Sequence, residues 1–75
     1  MRTTLDTMQA GERAVVLELD GAPETVERLM EMGLVAGTAL QLLKFAPLGD
    51  PLEIQVRGYH FSLRRAEAAG IVVEK

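Results

Sequence analysis

Short apolar segments separated by turn-forming residues are the feature that most limits how this chain can fold. The clearest segment spans residues 52–57, where Leu52, Ile54 and Val56 alternate with polar residues. Because successive side chains of a β-strand point to opposite faces of a sheet, this alternation predicts a strand with one buried face. Short strands are predicted over residues 12–19, 39–46, 52–57, 60–64 and 71–73, of which 39–46 is partly apolar on both faces.

The turns between these strands are also marked in the sequence. Residues 47–51 read P-L-G-D-P, and a loop of this length with Gly49 and Pro51 predicts a β-hairpin between the flanking strands. A second tight turn is predicted at Gly58-Tyr59. Antiparallel neighbours joined by short loops therefore account for most of the chain.

One longer helix interrupts the strands. Pro23 suits a first helical position, because proline lacks the N–H that would have no partner there. Gly33 suits the left-handed residue just beyond the helix end, and Leu34 would then pack back on Leu29. The sequence therefore predicts a helix of about ten residues that ends before Gly33. Gly37 precedes the following strand, and we call the segment from Gly33 to Gly37 the corner.

Two further single helical turns are predicted, over residues 4–8 and 65–70. A sheet of five short strands protects its edges best by curling. We therefore expect a mainly β fold, a small, partly open, SH3-like five-stranded barrel with one short α-helix, forming a single domain over residues 1–75. An oligonucleotide-binding barrel is the alternative.

Composition excludes several classes of protein. The chain has no cysteine, which excludes a disulfide scaffold and thiolate metal sites. Its net charge of −3 argues against a dedicated nucleic-acid binder, which usually has a basic face. No signal sequence or long apolar stretch is apparent, so a cytoplasmic location is expected.

The sequence offers little catalytic chemistry. His60 is the only histidine and Ser62 the only serine, and they lie two residues apart on a predicted strand. No phosphate-binding loop is present. We therefore predict no enzyme activity, no cofactor and no dedicated metal site. His60 is a weak candidate for weak Fe²⁺ binding, which stays open.

Several apolar residues have no evident internal role. Val35 stands in the corner after the helix, Leu48 in the hairpin loop, and Tyr59 in a predicted turn. Such residues either pack locally under the loops or form a contact patch for another protein. The predicted contact residues are Met32, Leu34, Val35, Leu48 and Tyr59, with Gly33 and Gly37 shaping the corner between them.

The order of these segments resembles a known family. The motifs G-E-x-A-V-V, R-L-M-E-M-G-L-V-A-G, P-L-G-D-P-L-E-I-Q-V-R-G, L-R-R-A-E-A and I-V-V are similar to those of ferrous iron transport protein A, FeoA. The resemblance covers the chain from about Leu5 to Val73. The combination of the corner motif with P-L-G-D-P makes it fairly specific.

The resemblance implies a cytosolic accessory protein that binds and modulates FeoB, the membrane transporter for ferrous iron. Contact with the membrane would then be indirect, through the cytosolic part of this partner, and a homo-oligomer stays open. The resemblance also extends to the C-terminal domain of metal-dependent repressors of the diphtheria toxin repressor type, which has the same fold. A metal-responsive module that binds Fe²⁺ at His60 is therefore the alternative function.

Overall fold

The computed structural model describes all residues from 1 to 75. Six strands and three short helical segments make up the fold, which confirms the predicted mainly β class. The strands are Arg2–Thr4 (β1), Arg13–Leu19 (β2), Ala39–Phe45 (β3), Leu52–Val56 (β4), Tyr59–Leu63 (β5) and Ile71–Glu74 (β6). The helical segments are the 3₁₀ turn Leu5–Thr7, α1 at Pro23–Glu31 and α2 at Arg65–Ala68.

All six strands belong to one antiparallel sheet with the order β1-β6-β2-β3-β4-β5. The sequence prediction missed β1, because three residues at the amino terminus carry no alternation and become a strand only by pairing with β6. The sheet has two free edges, β1 and β5, and is not closed by hydrogen bonds. The predicted partly open architecture therefore holds, with six strands in place of five.

A single cluster of fifteen buried apolar residues forms the core. Leu52, Ile54 and Val56 of β4 are all buried, as their alternation predicts. Leu5 and Met8, at the 3₁₀ turn, are buried as well. No aromatic residue is fully buried, so aliphatic side chains and methionine fill the interior.

Strand β2 changes the face that it buries partway along its length. Ala14 and Val16 are buried, but the pairing with β6 shifts between Val16 and Glu18. A bulge of this kind adds one residue on one strand and reverses the alternation beyond it. Leu19 consequently packs against the core, while Val15 stays 39% exposed.

The end of α1 has the predicted closing geometry. Gly33 has a φ of 100°, and its N–H donates to the carbonyl oxygen of Met30 at 3.0 Å. The Leu34 N–H donates to the carbonyl oxygen of Leu29 at 3.1 Å. This pair of bonds defines a Schellman motif, and both leucines are buried. The corner therefore seals the helix end with Leu34.

The turn between β4 and β5 lies one residue earlier than predicted. Arg57 and Gly58, with φ values of 51° and 84°, form it. Tyr59 is already in β5, opposite Val56. The prediction was wrong because it took Arg57 as a strand residue, whereas this arginine adopts the left-handed conformation that such two-residue hairpin turns require.

Neither α1 nor α2 has the length and apolar character needed to cross a lipid bilayer.

Candidate interaction site

The predicted contact residues do not form one surface. Leu48 lies in the β3–β4 loop, which precedes Leu52, and Tyr59 follows the turn after Val56. They therefore lie at opposite ends of β4, whose five residues span about 13 Å. We call these two regions the hairpin end, comprising residues 46–51, and the groove end, comprising residues 31, 32 and 59–61.

At the hairpin end, Arg65 fastens the β3–β4 loop. Its main-chain N–H donates to Asp50 Oδ1 at 3.0 Å, and its Nε donates to the carbonyl oxygen of Gly49 at 3.2 Å. Its Nη1 donates to the carbonyl oxygen of Asp6 at 3.3 Å. The guanidinium also lies 4.9 Å from the centre of the Phe45 ring. One arginine thus joins the loop, the 3₁₀ turn and β3.

Leu48 projects from this fastened loop and is 97% exposed. The loop is closed internally by the Gly49 N–H, which donates to the carbonyl oxygen of Ala46 at 2.7 Å, and Pro51 leads directly into β4. Leu48 therefore has no internal packing role, as predicted from the sequence. It is a single apolar projection on a fixed loop.

At the groove end, a cavity of about 440 Å³ opens between α1 and β5. Glu31 and Met32 form the helix side, and Tyr59, His60 and Phe61 form the strand side. Tyr59 is 72% exposed, whereas Met32 and Phe61 are half-buried and pack partly on the core. The groove therefore has an apolar floor that remains open to solvent.

The strand side of this groove is a free sheet edge. Strand β5 pairs with β4 on one side and has no strand on the other. In a two-residue hairpin the flanking residues, here Val56 and Tyr59, exchange both main-chain hydrogen bonds, and bonded positions then alternate. The N–H and C=O groups of His60 and Ser62 therefore point away from β4, and no turn or loop bond uses them.

Two arginines flank this edge without ion-pair partners. Arg57 precedes β5 and Arg64 follows it, and both are exposed and take part in no salt bridge. Arg28 of α1, in contrast, pairs with Glu67 of α2 and links the two helices. In a chain of net charge −3, the two ends of the β5 edge are therefore locally positive, whereas Glu31 lies beside its middle.

The structure corrects one predicted contact residue. Leu34 is fully buried in the seal of the helix end, so its side chain is not available to another protein. Val35, the next residue, is half-buried. Its carbonyl oxygen accepts the Thr38 N–H at 3.0 Å, so Val35 belongs to the turn that leads through Gly37 into β3. Exposed apolar surface at the groove end comes mainly from Tyr59.

His60 is exposed and shares the groove with Glu31. No group of three or more histidine, cysteine, aspartate or glutamate residues converges anywhere in the structure. A transition-metal site usually needs several such ligands. Weak Fe²⁺ binding at His60 therefore stays a prediction.

Glu12 is the carboxyl group whose environment clearly alters its acidity. The Gln9 N–H donates to Glu12 Oε1 at 2.7 Å, and Lys75 Nζ lies 3.2 Å from Oε2. These two contacts, the main-chain N–H first, lower the pKa of Glu12 by stabilising the carboxylate. The group lies away from both candidate regions and ties the turn before β2 to the carboxyl-terminal residue.

Comparison with known proteins decides the family. The model of the FeoA domain matches residues 3–75. The chain belongs to the FeoA domain family. A curated relative in Porphyromonas gingivalis, a fusion of Fe(2+) transport protein A with the Fe(2+) transporter FeoB, is 37% identical over 70 residues. These residues are 93% of this chain and 8% of that protein, so the chain spans a small part of the fusion.

Solved FeoA structures confirm the fold. FeoA from Chlorobium tepidum is 44% identical with a TM-score of 0.92, over 96% of this chain and 69% of that one. Zinc-complexed FeoA from Stenotrophomonas maltophilia, described as a prokaryotic SH3 domain protein, is 32% identical with a TM-score of 0.84, over 96% and 89% of the two chains. The SH3-like fold predicted from the sequence is therefore confirmed.

The fold is also shared outside FeoA proteins. A manganese-dependent transcriptional repressor is 15% identical with a TM-score of 0.89, and the match covers 99% of this chain and 41% of the repressor. At that identity the likeness concerns the fold alone.

Sequence reasoning missed two features of the candidate site. Phe61, within the strand predicted over residues 60–64, packs partly on the core and also lines the groove, which strand periodicity does not reveal. Arg64 and Arg65 are adjacent in the sequence, but Arg65 holds the hairpin loop and Arg64 takes part in no salt bridge. Because the two arginines are adjacent at the end of a strand, their side chains are expected to point in opposite directions. Only the tertiary structure shows that Arg65 is the one that contacts the β3–β4 loop.

Proposed function

We propose that this chain is a non-catalytic interaction domain that binds the cytosolic part of a FeoB transporter and modulates ferrous iron uptake. The observation that supports this most is the Porphyromonas gingivalis relative, in which a segment similar to this chain and FeoB belong to one polypeptide. Fusion keeps two associating parts at high effective concentration. The proposal places the domain in the cytoplasm, with the membrane reached only through the partner.

The surface features of the chain suit a binding role. Exposed apolar residues usually have no significance singly, but a groove with an apolar floor and an exposed tyrosine is typical of contact sites. Tyr59, Met32 and Phe61 supply such a groove. Leu48 supplies a second, smaller apolar point at the hairpin end.

A binding titration with purified components tests the proposal. The cytosolic part of FeoB from the same genome is titrated with the wild-type chain and with Tyr59→Glu, Leu48→Glu and Ala10→Glu. Ala10 is exposed and lies outside both regions, so Ala10→Glu adds the same charge as a control. We expect Tyr59→Glu to weaken binding by about tenfold or more, because a carboxylate is costly to bury at an apolar contact. Absence of binding by the wild-type chain contradicts the proposal.

Iron uptake by cells reports the modulation. Cells that produce FeoB alone, FeoB with the wild-type chain, and FeoB with Tyr59→Glu are compared for ⁵⁵Fe²⁺ uptake at matched transporter levels. We expect the wild-type chain to change the uptake rate and Tyr59→Glu to lose most of that change. Equal uptake in all three strains contradicts a modulating role.

A metal-responsive role is the second candidate, because His60 and Glu31 line the same groove. Anaerobic calorimetry with Fe²⁺ separates it from the first. Binding tighter than about 10 μM, near 7 kcal/mol, that disappears in His60→Ala favours the metal-responsive role. Equal heats for the two proteins contradict it.

A further inference from the structure

The two free edges of the sheet differ in what they offer another chain. β1 has only three residues, and its first neighbour, the Met1 amino group, pairs with Glu74. β5 has five residues, contains no proline or lysine, and leaves the main-chain groups of His60 and Ser62 unpaired. Unprotected edges of this kind are templates for an added strand. The difference selects β5 over β1.

The groove beside β5 gives an added strand a place for its side chains. Successive side chains of an extended segment point alternately to the two faces of a sheet. A segment paired with His60 and Ser62 would direct every second side chain toward Met32, Tyr59 and Phe61. Strand addition beside a helix uses main-chain bonds for affinity and such pockets for specificity.

Charge argues against a second copy of this chain as the occupant. Two-fold antiparallel pairing of β5 with itself, centred on Phe61, would place Arg57 of one copy beside Arg64 and Arg65 of the other. Like charges directly opposite each other destabilise a strand pair. The edge therefore suits a different chain with negative charge at the ends of its bound segment.

The middle of the partner's bound segment should be apolar and not acidic. Glu31 stands on the helix side of the groove and takes part in no salt bridge. An acidic residue at the centre would meet this carboxylate and an apolar floor. Acidic residues beside Arg57 and Arg64, with apolar residues between them, satisfy both conditions.

We infer that the free edge of β5 binds an extended segment of the partner as a seventh strand, with apolar side chains in the groove and acidic residues near Arg57 and Arg64. The inference rests on the proposed function, which supplies the cytosolic part of FeoB as the partner. It adds the mode of binding and the chemical character of the segment that binds.

Ser62→Pro tests strand addition directly. The Ser62 N–H points away from β4, so proline removes no hydrogen bond of the sheet but blocks an added strand. Ser62→Ala is the matched control, because it alters the same side chain and keeps the N–H. We expect Ser62→Pro to weaken binding to the cytosolic part of FeoB by about tenfold or more and Ser62→Ala by less than about twofold. Circular dichroism and thermal unfolding establish that both variants are folded.

A charge-reversal pair tests the same inference without altering the main chain. Arg57→Glu with Arg64→Glu should weaken binding by about tenfold or more, and more at low salt than at high salt. Arg2→Glu is the control, because Arg2 lies on β1 at the opposite edge of the sheet and its ion pair with Glu18 is exposed. Hydrogen exchange adds a positional readout, in which the amides of His60 and Ser62 become protected in the complex.

The outcomes separate the two proposals. Binding by the wild-type chain with equal affinity for folded Ser62→Pro overturns strand addition and leaves the proposed function standing. A complex in which His60 and Ser62 exchange as in the free chain has the same consequence. Absence of wild-type binding overturns both. Loss of binding in Ser62→Pro and in the charge-reversal variant, with both controls near wild type, supports strand addition.

Discussion

The hairpin end and the groove end both expose apolar side chains, but they are supported in opposite ways. At the hairpin end, Arg65 donates to acceptors of the loop and of the 3₁₀ turn and lies over the Phe45 ring of β3, and Leu48 projects from this anchored loop. At the groove end, Tyr59 is less exposed than Leu48, yet unpaired main-chain groups of β5 lie beside it. The hairpin end thus offers a lone apolar projection, whereas the groove end combines apolar surface with the regularly spaced free N–H and C=O groups of a sheet edge, so we expect binding at the groove end.

The largest expected effect separates buried from exposed leucines near the two ends. Leu34→Ala should lower the free energy of unfolding by about 2–5 kcal/mol, because it leaves a cavity in the core beside Leu29. Leu48→Ala should change it by less than about 0.5 kcal/mol, because the side chain touches solvent. Urea denaturation measures both. A loss in Leu48→Ala as large as that in Leu34→Ala would show that Leu48 packs internally.

The next effect concerns the arginine that fastens the hairpin end. Arg65→Ala should lower the free energy of unfolding by about 2 kcal/mol, because the loop and the 3₁₀ turn lose their shared donor and Phe45 loses its cation. Arg64→Ala is the matched control and should cost less than about 0.5 kcal/mol. If thermal unfolding shows equal losses of stability in Arg65→Ala and Arg64→Ala, the contacts of the Arg65 side chain do not stabilise the hairpin end.

A smaller effect is expected at the corner that shapes the groove end. Gly33→Val should lower the free energy of unfolding by about 1–2 kcal/mol, because a β-branched residue is strained at a φ of 100°. Gly33→Asn should cost less, since asparagine tolerates the left-handed region. If the melting temperature of Gly33→Val equals that of the wild type, the closing motif contributes nothing to stability.

The smallest expected effect depends on pH and concerns the tether at Glu12. Its native pKa lies below the ordinary value of 4.5, so the carboxylate stabilises the fold above that pH and loses this effect as pH falls through the native pKa. Wild type should therefore be more stable than Glu12→Gln near pH 7, and the difference should shrink below pH 4.5. Thermal unfolding from pH 7 to pH 3 measures the gap. If the stability difference between wild type and Glu12→Gln grows as the pH falls, the pKa of Glu12 is not lowered in the native protein.

Local patterns predicted most of the fold. The alternation from Leu52 to Val56 predicts a strand, proline predicts the start of α1 and glycine predicts its end, and each of these predictions is confirmed. What the sequence did not reveal depends on tertiary contacts. β1 exists through its pairing with β6, and the β2 bulge is a property of the same sheet.

The candidate site was predicted only in part. Tyr59 and Leu48 are exposed as expected. Leu34 is buried, because its side chain packs in the core where the Schellman motif ends α1. The free edge of β5 depends on strand order, which no local pattern specifies. The sequence shows which turn residues are apolar, but the strand order is needed to tell whether they lie on the same surface.

Changes in backbone amide NMR shifts on addition of the cytosolic part of FeoB show which end of the molecule binds this partner. We predict that the largest changes fall at the groove end and along β5, at Met32 and from Tyr59 to Ser62. Changes around Leu48 should be smaller. The largest changes in residues 46–51, with β5 unaffected, would contradict the assignment of the binding site.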